Sequence, residues 1–212
     1  MKKLTYLFFC LSVAAFGQNT LIPDPNFEQA LIDLGYDTAP INGSVPTSSI
    51  SGVTNLNVRD KNISDLTGIE DFTALYELRC NSNQLTSLDL SNNIALTYLN
   101  CRNNQLTSLD LSNNDALTDL SCRFNQLTSL DLSQNTALTD LYCQNNQLTN
   151  LDLSNNPNLF ILITYSNQLQ SLDLRNIIHR TAWSSDGYYN VRDNPDLSCI
   201  LVDDVSNATA FF

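Results

Sequence analysis

The chain has 212 residues, of which 22 are acidic, 10 are basic and one is histidine, giving a formal net charge of −12. Such an acidic surface repels phosphate backbones and anionic lipids, so nucleic acid and membrane surfaces are not expected partners. Beyond the N-terminal segment, no apolar run approaches the length of about 20 residues that a membrane-spanning helix requires.

Residues 1–17 have the layout of a secretory signal peptide. Two lysines open the segment, an apolar core follows, and Ala15-Phe16-Gly17 supplies a small-x-small cleavage site. The core is too short to span a bilayer, and the bulky residue before Cys10 argues against a lipoprotein cysteine. An N-terminal anchor or a buried strand fits this layout less well. We therefore expect an exported protein, secreted or on the outer cell surface, with no membrane insertion after the signal is removed.

Residues 18–52 are expected to form an N-terminal cap with one helix at about residues 24–34. Asp24 is a suitable N-cap residue, Pro25 suits the first helical position, and Gly35 suits a left-handed helix end. The apolar residues between them recur at helical spacing. An amphipathic helix in front of a repeat array covers the apolar edge of the first repeat.

Residues 53–174 are a tandem repeat. The pattern L-x-x-L-x-C-x-x-N-x-L, with threonine for cysteine in the last copy, recurs every 21 residues from Leu75, Leu96, Leu117, Leu138 and Leu159. A period of about 20–29 residues with this pattern is the signature of leucine-rich repeats. A divergent first copy of 22 residues starts at Val53 and resembles the internalin-like class of bacterial repeats.

The period predicts an α/β solenoid, with a curved parallel β-sheet, a short N-terminal capping helix and a mostly irregular convex side. One repeat cannot bury its apolar residues alone, so neighbouring repeats stack at about 4.8 Å per rung. Alternation along each strand sends leucine and cysteine inward and the residues between them outward. An asparagine after each strand is suited to bond the backbone groups of the turn. This column comprises Asn83, Asn104, Asn125, Asn146 and Asn167.

Four cysteines recur once per rung, at Cys80, Cys101, Cys122 and Cys143. A 21-residue step on parallel strands gives a line of thiols, whereas a metal site gathers its cysteines around one ion. Neighbouring thiols point the same way, which is poor geometry for a disulfide. We interpret them as small apolar core residues, and we predict no metal and no cofactor.

Aspartates form a further column, which comprises Asp89, Asp110, Asp131, Asp152 and Asp173. Solvated carboxylates that bond their own turns explain the column, because no calcium-loop motif accompanies it. Calcium held by stacked carboxylates is the alternative, and it would make the chain a calcium-stabilised structural protein.

The sequence carries no catalytic motif. An enzyme needs a nucleophile with a base, or a carboxylate pair in a pocket. The single histidine, His179, has no motif around it, and no phosphate loop, dinucleotide fingerprint or G-x-S-x-G sequence is present. We therefore predict no catalytic residues.

Residues 175–212 are expected to hold an insertion and an incomplete C-terminal cap. After Leu159, the next strand start that the pattern identifies is Leu197, which leaves 17 residues more than one repeat. In that register Ile200 points inward and Cys199 points outward.

The outward residues of the strands are the candidate binding surface. Tyrosine and arginine are enriched at binding hot spots, and solenoids present such faces to partners. The alternative is a plain solvated sheet face, with Ile161 and Ile163 covered by the insertion. The candidate ligand-binding residues on this concave face are Tyr98, Arg102, Asp119, Arg123, Asp140, Tyr142 and Tyr165.

The repeat L-x-x-L-x-C-x-x-N-Q-L-T-S-L-D-L-S-x-N-x-A closely resembles secreted leucine-rich-repeat proteins of Gram-negative bacteria that a type IX system exports. The segments from Ile22 to Phe27 and from Asn194 to Cys199 add to the resemblance, which spans nearly the whole mature chain. It implies a surface or secreted interaction protein, often with a C-terminal sorting domain. It also implies a disulfide between Cys199 and a later cysteine, so we expect the chain to be a piece of a longer protein.

These observations predict an exported, non-enzymatic leucine-rich-repeat protein that is monomeric and binds a protein or glycan at the cell surface through its concave face. The second candidate is a repeat domain that targets or spaces an enzymatic module absent from this chain. A calcium-stabilised structural protein is the third candidate, and it rests on the aspartate column alone.

Overall fold

A computed structural model describes residues 17–177 and 189–203 of the protein. Over these ranges the chain winds into a solenoid, in which each turn adds one short strand to a parallel sheet. The predicted leucine-rich-repeat fold is therefore confirmed. No helix in these ranges combines the length and the apolar character that crossing a membrane requires. The predicted signal peptide lies outside the described residues, except for Gly17.

The N-terminal cap combines a two-stranded antiparallel sheet with two helices. Its elements in chain order are β1 (Asn19–Leu21), α1 (Pro25–Asp33), β2 (Ser44–Pro46) and α2 (Thr47–Ile50). Helix α1 lies within the range that the sequence predicts. The ring of Phe27 on this helix stacks on Phe72 of the first repeat, with ring centroids 6.3 Å apart. The cap therefore closes the apolar end of the solenoid.

Asp24 connects the cap to the first repeat. One carboxylate oxygen accepts hydrogen bonds from the backbone N–H groups of Asn26 and Phe27, at 2.8 and 3.1 Å, and so caps α1. The other oxygen accepts from the backbone N–H groups of Ser64 and Asp65, at 2.7 and 3.0 Å. A single carboxylate thus fixes the position of the helix on the repeats.

The main sheet consists of seven parallel strands, which neighbour each other in chain order. They are β3 (Asn55–Asn57), β4 (Glu77–Arg79), β5 (Tyr98–Asn100), β6 (Asp119–Ser121), β7 (Asp140–Tyr142), β9 (Ile161–Ile163) and β11 (Tyr189–Asn190). A short 3₁₀ helix at Ile69–Asp71 lies between β3 and β4. The central leucines of the strands pair in register, from Leu56 to Leu162, and are buried. The residues on either side of each central leucine face the solvent.

The four ladder cysteines are fully buried in the core behind the main sheet, and they are free thiols, as predicted. Burial in apolar surroundings raises the pKa of Cys101 and of Cys143 to about 12. It also raises the pKa of Cys80 and Cys122 well above the ordinary value. The thiolate form, which reacts and binds metals, is thus suppressed.

The predicted asparagine column forms a hydrogen-bonded ladder. The Nδ2 group of Asn125 donates to the carbonyl of Cys122 in its own rung, at 2.9 Å, and to that of Cys101 in the preceding rung, at 3.1 Å. Its Oδ1 accepts from the backbone N–H of Leu106 at 3.0 Å. The same three bonds recur at Asn104, and each asparagine therefore joins two rungs.

A second asparagine ladder lies deeper in the coil, where the sequence analysis assigned no role to it. Its members are Asn93, Asn114, Asn135 and Asn156. Each Nδ2 group donates to two backbone carbonyls of the preceding rung; for Asn135 these belong to Leu111 and Asn114, at 3.1 and 2.8 Å. The 21-residue spacing of these residues was visible in the sequence. Only the turn geometry reveals which carbonyls they reach.

The convex side is mostly irregular, as predicted, but its last rungs add a second parallel sheet. This sheet contains β8 (Asn150–Asp152), β10 (Ser171–Asp173) and β12 (Cys199–Leu201), with β10 in the middle. The aspartate column lies on this side. Each carboxylate bonds a backbone N–H two residues on, as Asp110 does with Ser112 at 2.9 Å, and this bond lowers the pKa of Asp110. The described residues contain no group of three or more histidine, cysteine or acidic side chains arranged to hold a metal ion.

The strand start predicted at Leu197 is wrong. The next strand of the main sheet is β11, where Tyr189 pairs with Leu162, 27 residues earlier and so only six more than the repeat period. Residues 199–201 belong instead to the second sheet, where Ile200 pairs with Leu172. The pattern misled because a tyrosine occupies the leucine column; its hydroxyl donates to the Leu159 carbonyl at 2.8 Å.

Asn194 resumes the first asparagine ladder. Its Nδ2 group donates to the carbonyls of Thr164 and Val191, and its Oδ1 accepts from the N–H of Leu169. Both sheets therefore continue past residue 174, which was the predicted end of the regular repeats. Cys199 is exposed and free, whereas His179 lies outside the described residues.

Thiol reactivity tests the interpretation of the cysteine ladder. In the folded protein, iodoacetamide at pH 8 should modify Cys199 and leave the four ladder cysteines unmodified, because burial suppresses their thiolates. Replacing Cys101 by serine places a hydroxyl in a site shaped for sulfur and should lower the free energy of unfolding by about 1–3 kcal/mol. Cys199→Ser is the exposed control and should change it little. Mass spectrometry that finds a bridge between two ladder cysteines would contradict this interpretation.

The asparagine ladder makes a second prediction. Asn125→Ala leaves two buried carbonyls and one buried N–H without their partner, and should lower the free energy of unfolding by at least about 2 kcal/mol. Urea denaturation measures the change. Asn92→Ala, at an exposed position of the neighbouring turn, should cost less than about 0.5 kcal/mol. Equal destabilisation by the two substitutions would show that the ladder bonds are not the stabilising element.

Candidate functional site on the concave face

The outward residues of the main sheet form three rows that cross the rungs. The first row contains Glu77, Tyr98, Asp119, Asp140 and Ile161. The second row contains Arg79, Asn100, Ser121, Tyr142 and Ile163. The third row contains Asn81, Arg102, Arg123, Gln144 and Tyr165, whose carbonyls continue the backbone ladder at 2.9–3.1 Å. Adjacent members of a row are about 4.8 Å apart, which is the strand spacing.

Asp119 and Asp140 are neighbours in the first row because β6 and β7 pair in register. The hydroxyl groups of Thr118 and Thr139 each donate a hydrogen bond of 2.7 Å to the following aspartate. Partial burial raises the pKa of Asp140; the bond from Thr139 opposes this shift, and the negative charge of Asp119 adds to it. Among the described residues, no cation lies within ion-pair distance of either carboxylate.

Tyr142 lies at the centre of the candidate residues. Partial burial raises the pKa of its phenol, the negative charges of Asp140 and Asp119 raise it further, and the positive charge of Arg123 lowers it. Tyr98 has the smallest effect and also raises the pKa of this phenol. Four of the other six predicted residues, on the same or neighbouring rungs, thus influence the pKa of this phenol.

Arg79 holds the ring of Tyr98 in place. The guanidinium carbon lies 5.0 Å from the centroid of the tyrosine ring, which is a cation–π arrangement. The guanidinium also donates to the carboxylate of Glu77, which raises the pKa of Arg79. Asn55 donates a further hydrogen bond to Glu77. The negative charge of Glu77, at this end of the first row, is consequently neutralised by Arg79.

Arg102 and Arg123, the two arginines of the third row, have no such partner. Both are half-buried, and their Nε atoms are buried without a hydrogen-bond acceptor. The next residue in the row, Gln144, is 2 % exposed, and its Oε1 atom is buried without a donor. Gln144 is not among the predicted site residues. Its position in the arginine column was the available signal.

In the third row, Tyr165 lies one rung beyond Gln144 and is half-buried. Ile161 and Ile163 lie beside it in the other two rows, so the face becomes apolar towards this end. The segment predicted to cover the two isoleucines lies largely outside the described residues. The threonine hydroxyls that bond Asp119 and Asp140 were not predicted, although each threonine directly precedes its aspartate.

The arrangement is suited to binding. It combines aromatic rings, two adjacent carboxylates and two adjacent guanidinium groups on one face. A catalytic carboxylate pair acts inside a pocket that excludes water, whereas this pair lies on the open face of a sheet.

Comparisons with known proteins agree on the fold. No protein-family model matches the chain, and no curated protein matches it. Among solved structures, it is similar to the functional domain of InlJ from Listeria monocytogenes, which includes a cysteine ladder. The TM-score is 0.68 and the identity 31%, over 92% of this chain and 51% of that one.

Two further internalins of Listeria monocytogenes are similar. InlF has a TM-score of 0.56 and 22% identity, over 78% of this chain and 54% of that one. InlC2 has a TM-score of 0.56 and 20% identity, over 93% of this chain and 95% of that one. The chain thus spans about half the length of the InlJ and InlF structures. Its structure is a leucine-rich-repeat solenoid with internalin-type neighbours, and this fold is typical of protein-interaction domains.

Proposed function

We propose that the protein is an exported, non-enzymatic recognition module that binds a protein or glycan at the cell surface. The ligand occupies the concave face of the main sheet. Export is supported by the signal-peptide layout of residues 1–17. The proposed contact residues are Tyr98, Arg102, Asp119, Arg123, Asp140, Tyr142 and Tyr165.

The convergence of charged and aromatic side chains around Tyr142 carries this proposal. A solenoid does not need two carboxylates on neighbouring rungs of an outward row, and here partial burial raises the pKa of Asp140 and the charge of Asp119 adds to this shift. Side chains that carry such an electrostatic cost on a surface are characteristic of functional sites, where contacts with a ligand offset it.

The other candidate functions have weaker support. A targeting or spacing role for a missing module needs no charged and aromatic cluster on the sheet face. A calcium-stabilised role depends on the aspartate column, yet Asp89, Asp110, Asp131 and Asp152 each bond the backbone of their own turn instead. Recognition through the concave face uses the features that the fold itself leaves unexplained.

Capture of surface proteins and glycans from the producing cells tests the proposal. The immobilised protein should retain a ligand, and the double variant Tyr98→Ala/Tyr142→Ala should retain less than about a tenth of it, because aromatic side chains dominate such interfaces. Its melting temperature should stay close to that of the wild type, since both rings face outward.

The matched control removes comparable apolar surface elsewhere. Tyr76 and Ile94 are 56% and 63% exposed and lie outside the three rows. The variant Tyr76→Ala/Ile94→Ala should capture the ligand normally. Undiminished capture by the Tyr98/Tyr142 variant, or equal losses in both variants, would place the binding surface elsewhere.

The acidic pair predicts a pH-dependent stability. The pKa of Asp140 in the folded protein is raised above its ordinary value of 3.8. Its contribution to stability is therefore fully present below that value and is lost as the pH rises through the folded-state pKa. Asp140→Asn removes the penalised charge and should raise the melting temperature at pH 7. The gain should shrink as the pH falls through the folded-state pKa and should be absent below 3.8.

Asp110 supplies a control of opposite sign. Its pKa is lowered by the backbone N–H of Ser112, so its stabilising contribution is present at neutral pH and is lost in acid. Asp110→Asn should lower the melting temperature at pH 7. If both substitutions shift the melting temperature in the same direction, the electrostatic account of Asp140 is wrong.

A further inference from the structure

Three consecutive rungs carry an unsatisfied polar atom in the third row. These atoms are Arg102 Nε, Arg123 Nε and Gln144 Oε1. A buried donor or acceptor without a partner costs free energy. The Oδ1 atoms of the second asparagine ladder are also unsatisfied, but they lie inside the coil, whereas the three atoms of the third row belong to side chains of the concave face. Arg79 and Arg175, by contrast, are each held by a carboxylate two residues earlier. The third row is consequently short of acceptors for its guanidinium groups.

We propose that Arg102, Arg123 and Gln144 form a subsite for an acidic side chain that an extended protein segment presents. This inference rests on the proposed function, since it names the ligand class for the same concave face. A carboxylate accepts two parallel hydrogen bonds from a guanidinium, and in the side-on arrangement one of them comes from Nε. Occupation shifts the arginine side chains so that their Nε atoms meet the ligand. The Gln144 carbonyl then accepts a backbone N–H, a donor that a polypeptide offers at nearly every residue.

The acidic pair favours a protein segment over an anionic glycan. Asp119 and Asp140 lie across the same face, in the first row, without a cation of their own among the described residues. A sulfated or uronic-acid glycan carries only negative charge and is repelled by this pair. A polypeptide places a glutamate against Arg102 and Arg123 and a lysine against the aspartates.

The spacing of the rows sets the spacing of the ligand's charges. Asp119 and Arg123 are four residues apart in the same rung, which corresponds to a Cα separation of about 13 Å in an extended chain. A segment that runs along the strands therefore matches both rows when its acidic and basic residues are four positions apart.

A titration of the full-length, isotopically labelled protein tests the subsite. The probe is a short serine- and threonine-based peptide with one glutamate and one lysine four positions apart. The Nε–H resonances of Arg102 and Arg123 report directly on the atoms in question. They should shift and saturate with the peptide. Exchanging the glutamate of the peptide for glutamine should weaken the affinity about tenfold, because a charge-assisted bidentate contact is lost.

Variants separate charge from geometry. Arg102→Gln/Arg123→Gln should weaken binding about tenfold and abolish the discrimination between glutamate and glutamine peptides. Arg102→Lys/Arg123→Lys retains the charges without the planar fork and should recover only part of the affinity. Arg175→Gln removes one positive charge beside the second sheet, away from the concave face, and should bind like the wild type. In Asp119→Asn/Asp140→Asn, the peptide's lysine should cease to matter, whereas its glutamate should still matter.

Equal binding of the glutamate and glutamine peptides would overturn the proposal, as would unchanged affinity of the Arg102→Gln/Arg123→Gln variant. Tighter, arginine-dependent binding of a heparin oligosaccharide than of the peptide would overturn the assignment to a protein ligand. If ligand capture still requires Tyr98 and Tyr142 while the arginine variants change nothing, the subsite is refuted and the recognition function stands. If neither pair matters, both are refuted.

Discussion

The hydrogen bonds of the asparagine ladder are the constraint on which the rest of the structure depends. Stacked leucines supply the burial, but apolar contacts alone allow neighbouring rungs to slide, since one leucine packs much like another. The tight turn after each strand also buries carbonyls that no strand pairs. Asn104 and Asn125 satisfy those carbonyls at fixed positions in two rungs and thereby fix, together with the backbone pairing of the strands, the register of the stack.

The concave face inherits its spacing from this register. Because the central leucines of neighbouring strands pair in register, the outward side chains fall into straight rows. The rungs then differ in chemistry mainly at the positions of these rows, as the change from Tyr98 to Asp119 to Asp140 along the first row illustrates. Charges of opposite sign occupy different rows, so the face offers a partner an ordered pattern rather than a mixed surface.

The strands, the buried cysteines and the shared face of the candidate residues were predictable because each depends only on a position within the period. The last turn was not, since Tyr189 replaces a leucine and six additional residues hide the period. The unpaired state of Arg102 and Arg123 also escaped prediction. It depends on the side-chain conformations of several rungs at once, and no single sequence column records those. The carbonyls to which Asn135 donates could not be predicted either, because they depend on the geometry of the turns.

Both asparagine ladders run in one direction. The side chain of Asn125 completes the polar groups of the rung before it, and Asn135 does the same in the second ladder. The hydrogen bonds of a rung are thus complete only when the next rung has formed. In a chain that emerges N-terminus first, each turn therefore needs about one period of further chain for its last hydrogen bonds. Assembly therefore proceeds from the N-terminal cap, which Asp24 holds on the first repeat, and each turn is completed after the next turn has formed.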